Sequence, residues 1–190
     1  MSNHEIFTAR LRLRRWRPED RVAFAALNAD ARVMEHFPKC LDRAESDAMA
    51  DRIEAHFAQH GFGPWAVEVK DGAPFVGYIG LAVPRFDAPF MPAVEIGWRL
   101  AFDAWGRGFA TEGAKAVLTH ALADLHLPGL VSYTAPSNWR SIRVMERIGL
   151  VRDPRDDFDH PLVPEGHPLR RHVLYRTAAG FAERDTNLER

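Results

Sequence analysis

The sequence predicts an α/β or α+β layered domain, with helices inserted between strands. Three observations predict it. Short segments alternate apolar and polar residues with period two, most cleanly "AVEIGWRL" at 93–100. Two longer segments, 42–61 and 109–125, carry apolar residues at helical spacing. Residues 93–134 then read as strand, glycine turn, helix and strand, a βαβ unit whose crossover should be right-handed.

The elements follow in order. "TARLRLRRW" alternates Leu11 and Leu13 with arginines and reads as a half-buried strand over 8–16. "PEDRVAFAALNAD" starts a helix at Pro18, and the helix from Asp42 ends at a glycine stop, Gly61. "WAVEVK" and "FVGYIGLAV" are strands joined through Asp71-Gly72, a hairpin-type turn. Pro84 to Pro92 is a loop. In 93–100, Val94, Ile96, Trp98 and Leu100 share one face, and Glu95, Gly97 and Arg99 the other. A helix runs from about Phe109 to Leu125, "LVSYT" at 130–134 is a strand, and Asn138 to Ile148 is a helix stopped by Gly149. "DDFDHPLVPEGHPLRR" reads as loop and "HVLYR" as the last strand.

Composition narrows the function. At 190 residues, 46% hydrophobic and 27% charged, the whole chain 1–190 reads as a single domain able to bury its own core. The formal net charge of -1 opposes a basic nucleic-acid face, so "ARLRLRRWR" is read as strand and no nucleic-acid partner is expected. The single cysteine, Cys40, excludes an internal disulfide and a cysteine metal cluster, which suits the cytoplasm. The first residues lack an apolar h-region, and the longest uncharged run, "GAPFVGYIGLAVP", is too short to span a bilayer. A soluble, cytoplasmic protein without a membrane partner is the expectation.

"AWGRGFATEGA", 104–114, carries the chemistry. A helix N-terminus following a strand in a βαβ unit offers free N–H groups and a positive dipole end to an anion. Gly106 and Gly108 would let the backbone approach a phosphate, and Arg107 would add charge. A dinucleotide fingerprint needs a third glycine where Thr111 stands, and an acidic end to the next strand, which "LVSYT" lacks. A nucleoside-triphosphate loop needs Gly-Lys, but Ala114 follows Gly113 and Lys115 is one residue late. Both fail.

A third candidate fits. "WGRGFA" is similar to the pyrophosphate loop of the GNAT superfamily of acyl-CoA-dependent N-acyltransferases, Gln/Arg-x-x-Gly-x-Gly/Ala. Gly108 and Ala110 match, and Trp105 takes the Gln/Arg place, as in the RimJ/RimL-like branch with its "Trp-Gly-x-Gly-aromatic-Ala-Thr-Glu". "NWRSIRVMERIGL", 138–150, resembles the second motif, Asn-x-x-Ala/Ser-x-x-Leu-Tyr-x-Lys-x-Gly-Phe, through Asn138, Ser141, Val144, Arg147, Gly149 and Leu150. The resemblance covers about 8–177. It implies a mixed, mostly antiparallel central sheet with a splayed parallel strand pair and helices on both faces. It further implies acetyl-CoA as co-substrate, with Trp105, Gly106, Arg107, Gly108, Phe109, Ala110 and Thr111 at the pyrophosphate. Pantetheine would lie in the splayed gap against the backbone near Trp98, Arg99 and Leu100, with Asn138 and Ser141 beside it. Asn138 is also a good N-cap, and the two roles are compatible.

The implied activity is acetyl transfer to a primary amine, on a protein N-terminus or a small molecule, by direct attack in a ternary complex. The alternative is a catalytically silent acyl-CoA-binding or sensing module, suggested by Met145 at the usual tyrosine place. Transfer requires removal of an ammonium proton, polarisation of the thioester and stabilisation of the thiolate. Glu95, mid-strand before the loop, is the first candidate base; Asp157, His160, Glu165 and His167 of the tail are rivals. Ser141 is the candidate partner of the thiolate, with Tyr133 and Tyr175 as alternatives. The spacing of His160, His167 and His172 matches no ordinary ligand pattern, so no metal is expected. The tail and the 36–62 region carry His, Asp, Glu and aromatics that would suit a cationic amine or a plain surface. A homodimer stays open.

Overall fold

The computed structural model of the protein describes residues 5–178. Among these, nine strands form the sheet: β1 (Ile6–Phe7), β2 (Leu11–Arg14), β3 (Pro64–Val69), β4 (Gly77–Ala82), β5 (Glu95–Leu100), β6 (Val131–Thr134), β7 (Val151–Arg152), β8 (Phe158–Asp159) and β9 (Arg171–Arg176). The helices are α1 (Asp20–Ala29), α2 (Arg43–His60), α3 (Phe109–Ala123) and α4 (Trp139–Arg147). The order in the sheet is β1-β2-β3-β4-β5-β6-β9-β7, with β8 added on β9. Every pairing is antiparallel except β5 with β6. The predicted layered class and the mixed, mostly antiparallel sheet are both present.

The parallel pair meets at one register position only, Glu95 opposite Val131, with the Val131 N–H donating to the Val94 carbonyl at 2.9 Å. Beyond it the strands part. On its other edge β5 pairs with β4 along its whole length. The Ala101 N–H donates to Val76, so ladder alternation turns the backbone groups of Glu95, Gly97 and Arg99 toward β4. Those of Ile96, Trp98 and Leu100 face the gap.

Local sequence explains the helices. Asp42 and Glu45 form a reciprocal capping box at the start of α2, and Gly61 ends it in the left-handed region at φ 77°. α3 lies on the face of Ile79, Ile96 and Leu100 and supplies Phe109, Ala114, Val117 and Ala121 to the core. α1 and α2 cover the opposite face of β4 and β5, where Asn28 and Met49 meet Arg99. Leu11, Leu13, Ile79, Leu81 and Ile96 are fully buried; burying one such side chain stabilises by about 1.5–3 kcal/mol.

The structure departs from the sequence reading at both ends of the sheet. The 8–16 strand is shorter: a turn at Thr8–Leu11 separates β1 from β2. In the tail, read as loop, β8 pairs with β9, and β7 follows the Gly149 stop. Two-residue strands leave too few positions for an alternation to register. The arginines of the first strand face carboxylates. Arg14, 2% exposed, makes a bidentate pair with Asp20 at 2.7 and 2.8 Å and donates to Glu68 at 2.8 Å. Arg12 pairs with Glu5 and Arg15 with Glu54. No helix of the described residues is long and apolar enough to cross a membrane.

Candidate active site

The parting of β5 from β6 opens a cavity of about 890 Å3, walled by the α1–α2 connection, α2, β4, β5, the 106–111 loop, α4 and the tail. At its far end from β5's N-terminus lies the glycine loop. Gly106 (φ 71°) and Gly108 (φ 80°) are both left-handed, and a Cβ on Gly106 would meet nothing within 4 Å. Backbone conformation, not crowding, therefore demands these glycines. Gly108 is the N-cap of α3, and no side chain caps it. The first-turn amides have no intrahelical partner, and Gly106, Gly108, Phe109, Ala110 and Thr111 line the cavity.

Two sequence-derived contacts are placed differently. The Arg107 side chain does not line the cavity; its guanidinium lies 4.6 Å from the Phe109 ring centre. Arg99 turns its backbone to β4 and its guanidinium to α1, donating to Asn28 at 2.6 Å over the Phe37 ring. Its backbone is therefore unavailable to the gap, a consequence of strand parity that the residue's position beside Trp98 and Leu100 concealed. Trp105 lines the cavity, and its indole N–H donates to the Leu100 carbonyl at 2.8 Å, closing the turn between β5 and the loop. Leu100 thus keeps its N–H for the gap, while its carbonyl already accepts from Trp105.

Glu112, part of the loop motif but without a role legible in the sequence, ties that loop down. It accepts from the Thr8 hydroxyl at 2.6 Å, the Arg10 N–H at 2.8 Å and Arg10 Nε at 2.7 Å. Arg10 Nη1 in turn donates to the Arg107 carbonyl at 2.9 Å. Glu112→Ala should therefore lower stability by about 2 kcal/mol, the loss of several charge-assisted bonds. A thermal melt beside an acetyl-CoA titration checks this, with weaker binding expected as the loop loses its anchor.

Glu95 stands where the strands part. Part of the residue opens to the cavity, while its carboxyl is deeply enclosed; burial raises its pKa from 4.5 to about 7, and a hydrogen bond from Tyr133 opposes that rise. The Tyr133 hydroxyl donates to Glu95 Oε2 at 2.5 Å. Burial, the Glu95 charge and this hydrogen bond hold the phenol protonated. A Cβ at position 97 would come within 3.3 Å of Glu95 Oε1, so Gly97 keeps that oxygen open. Phe86, Phe90, Phe158, His160 and His172 pack around the Tyr133 ring.

The rivals for the base fare differently. Asp157 is paired with Arg152, and neither Glu165 nor His167 lines the cavity. His160 does, but burial and the neighbouring His172 lower its pKa to about 4, which makes its imidazole a weak base. Asn138 caps α4, accepting from the Ser141 N–H at 3.2 Å and donating to Thr134 Oγ1 at 2.9 Å. Both ends of its amide are thus engaged within the protein. Ser141 lines the cavity in the first turn of α4. Met145 is buried in the core, and the Tyr175 hydroxyl donates to Glu146 at 3.3 Å away from the cavity. Among the described residues no group of three or more His, Cys, Asp or Glu side chains could hold a metal ion.

A splayed parallel pair with a glycine-led helix N-terminus across its mouth is the arrangement that the resemblance to the acyl-CoA-dependent acyltransferases implies. Residues 10–151 match the family described as "Acetyltransferase (GNAT) domain". The chain belongs to the GNAT acetyltransferase family. It is 27% identical over 147 residues to the uncharacterized protein YkkB of Bacillus subtilis, covering 77% of this chain and 84% of that one. A solved acetyltransferase from Agrobacterium tumefaciens is 30% identical, with a TM-score of 0.73 over 93% of this chain and 95% of its own. The same fold occurs in a Vibrio cholerae spermidine N-acetyltransferase in complex with CoA and spermine (17% identity, TM-score 0.69, 89% and 95% covered). It occurs also in RimL, a ribosomal L7/L12 alpha-N-protein acetyltransferase in complex with coenzyme A (16%, 0.72, 91% and 97%). The chain is an acetyltransferase, and the family uses acetyl-CoA as co-substrate.

Proposed function

We propose that this acetyltransferase moves an acetyl group from acetyl-CoA to a primary amine by direct attack in a ternary complex, within the RimJ/RimL-like branch suggested by "WGRGFATE". The observation that carries the reading is the coincidence, on one cavity, of an uncapped helix N-terminus at Gly108 and a raised-pKa carboxyl at Glu95. The first suits a pyrophosphate; the second suits an amine that must lose a proton.

Acetyl-CoA supplies an activated thioester, so no covalent enzyme intermediate is required. The amides of residues 107–111 hold the pyrophosphate, and Trp105 fixes the turn that presents them. Trp98 and the Leu100 N–H supply backbone partners in the gap, and Asn138 keeps the start of α4 in place beside it. Glu95, positioned by Tyr133, takes the proton from the ammonium, freeing the nitrogen to attack the acetyl carbon. As the C–N bond forms, the C–S bond breaks and the sulfur leaves as thiolate. Ser141 donates a hydrogen bond to that thiolate; a hydroxyl is too weak an acid to be its main proton source. Cys40, exposed, has no part in the step.

Calorimetric titration tests the cofactor. Acetyl-CoA should bind about 100-fold or more tighter than NADH or ATP, since a pyrophosphate alone leaves the splayed gap unfilled. Equal affinities would overturn the reading. Thiol release with a panel of amines then tests transfer.

A further inference from the structure

The charge on the cavity wall is one-sided. Six arginines line it: Arg140, Arg143 and Arg147 on α4, beside the loop, and Arg52, Arg85 and Arg99 on the α2 and β4 side. Glu95 is the single carboxylate among the described lining residues. The four lining histidines, His36, His56, His160 and His172, all have their pKa lowered, chiefly by burial, so at neutral pH they do not add to or offset this charge. The phosphates of acetyl-CoA account for cations near the loop. They do not account for the other three.

Arg52 and Arg85 belong to the half of the cavity at the Glu95 end; Arg99 lies four residues along β5 toward the loop, its guanidinium turned to α1. β4 runs antiparallel to β5 with Ala82 opposite Glu95, so Arg85 lies just beyond the Glu95 end, away from the glycine loop. The Val83 N–H donates to His56 Nε2 at 2.9 Å, which brings the exit of β4 against α2. Arg52 sits one helical turn before His56 on the same face of α2, and Arg85 is close enough to His56 to help lower its pKa. Arg52 and Arg85 are exposed, and among the described residues neither has a carboxylate partner. Arg99 is 7% exposed, also without a carboxylate partner, and its Nε is buried with no hydrogen-bond acceptor. A buried guanidinium left without an anion is costly unless another charge arrives.

We infer that the acceptor is a small amine that carries a carboxylate, bound by Arg52 and Arg85 and favoured by the field of Arg99. This deepens the proposed amine acetylation and rests on it. Glu95 meets the ammonium while the two rim arginines meet the acid, so the substrate is held at both ends. A polyamine would bring only positive charge to this half of the cavity. The tail and 36–62 residues, read from sequence as suited to a cationic amine or a plain surface, place no carboxylate on the wall: Asp157 and Glu165 lie off it.

The test uses the full-length protein with saturating acetyl-CoA and ω-amino carboxylates of graded length, each beside its carboxamide, with spermidine as the polycation. At one length or more, kcat/KM for the acid should exceed that for the carboxamide about tenfold, a charge-assisted bidentate contact being worth that much. The difference should lie mainly in KM and shrink with added salt. In the Arg52→Gln, Arg85→Gln double variant the ratio should fall close to one, and Arg85→Lys in the Arg52 background should restore most of it. A merely structural role would not move this ratio. Carboxamides or spermidine preferred at every length, or a ratio that survives the double variant, would overturn the inference while leaving amine acetylation standing. Binding of acetyl-CoA with no thiol release from any amine would overturn the transfer reading, and this inference with it.

Discussion

Glu95→Gln should lower kcat roughly 10²–10⁴-fold, the usual worth of a positioned general base, while acetyl-CoA affinity survives. Glutamine keeps the size of the side chain and can still accept from Tyr133, so the loop and gap are untouched; only basicity is lost. The carboxyl of the wild type titrates near 7, raised by burial, and the reaction needs it ionised. Its rate should therefore rise with pH through about 7, and that limb should vanish in the variant, leaving any limb due to the substrate ammonium. Stability moves the other way. A carboxyl whose pKa is raised on folding contributes stability below its ordinary value of 4.5, and this is lost as pH rises to about 7. The cofactor-free wild type should thus weaken across that window by on the order of 2 kcal/mol, and the variant should not. Denaturant melts at pH 5 and pH 8 measure the difference. A variant with near-normal kcat and an unchanged pH profile would remove Glu95 from the role.

Gly108→Trp should abolish measurable acetyl-CoA binding, with an increase in Kd of about 100-fold or more. Two effects combine. Residue 108 adopts φ 80° at the N-cap of α3, a region that costs a side-chain-bearing residue about 1–2 kcal/mol. The indole would also stand over the first-turn amides and keep a pyrophosphate from them. The nearest atom to a new Cβ is Arg10 Nη2 at 3.4 Å, the end of a flexible side chain, so the fold itself should persist. Circular dichroism confirms that, and calorimetry reads the affinity. Gly108→Ala separates the effects, since it carries the conformational cost without the bulk and should bind at an intermediate level. Unchanged affinity in the tryptophan variant would place the pyrophosphate elsewhere.

Much of this was legible in the chain because it is written in local periodicity. Alternation in 93–100, helical spacing after Phe109 and the two glycines between them each depend on near neighbours, and they locate β5, α3 and the loop within a residue or two. The two near-miss phosphate motifs could be rejected by counting residues, and the second motif at 138–150 lay in register with the first. Signals of two residues, such as β7 and β8, are too short for periodicity, and those strands exist only because β9 offers an edge to pair with.

The sequence by itself determined the layered class, the order of the longer elements, the family and the position of Glu95 on the strand before the loop. Tertiary structure alone decided the chemistry of that position. Tyr133 meets Glu95 across 38 residues of chain, and Glu112 anchors the loop to Thr8 across 104. Ladder parity turned Arg99 away from the gap and toward α1, and the packing of α2 against the end of β4 gathered Arg52, His56 and Arg85 at one rim. The physical reason is common to all of these. Which face a strand residue presents can be read from period two, but its pKa and its charge partners depend on what sheet order and helix packing bring against that face, and on how much water they remove.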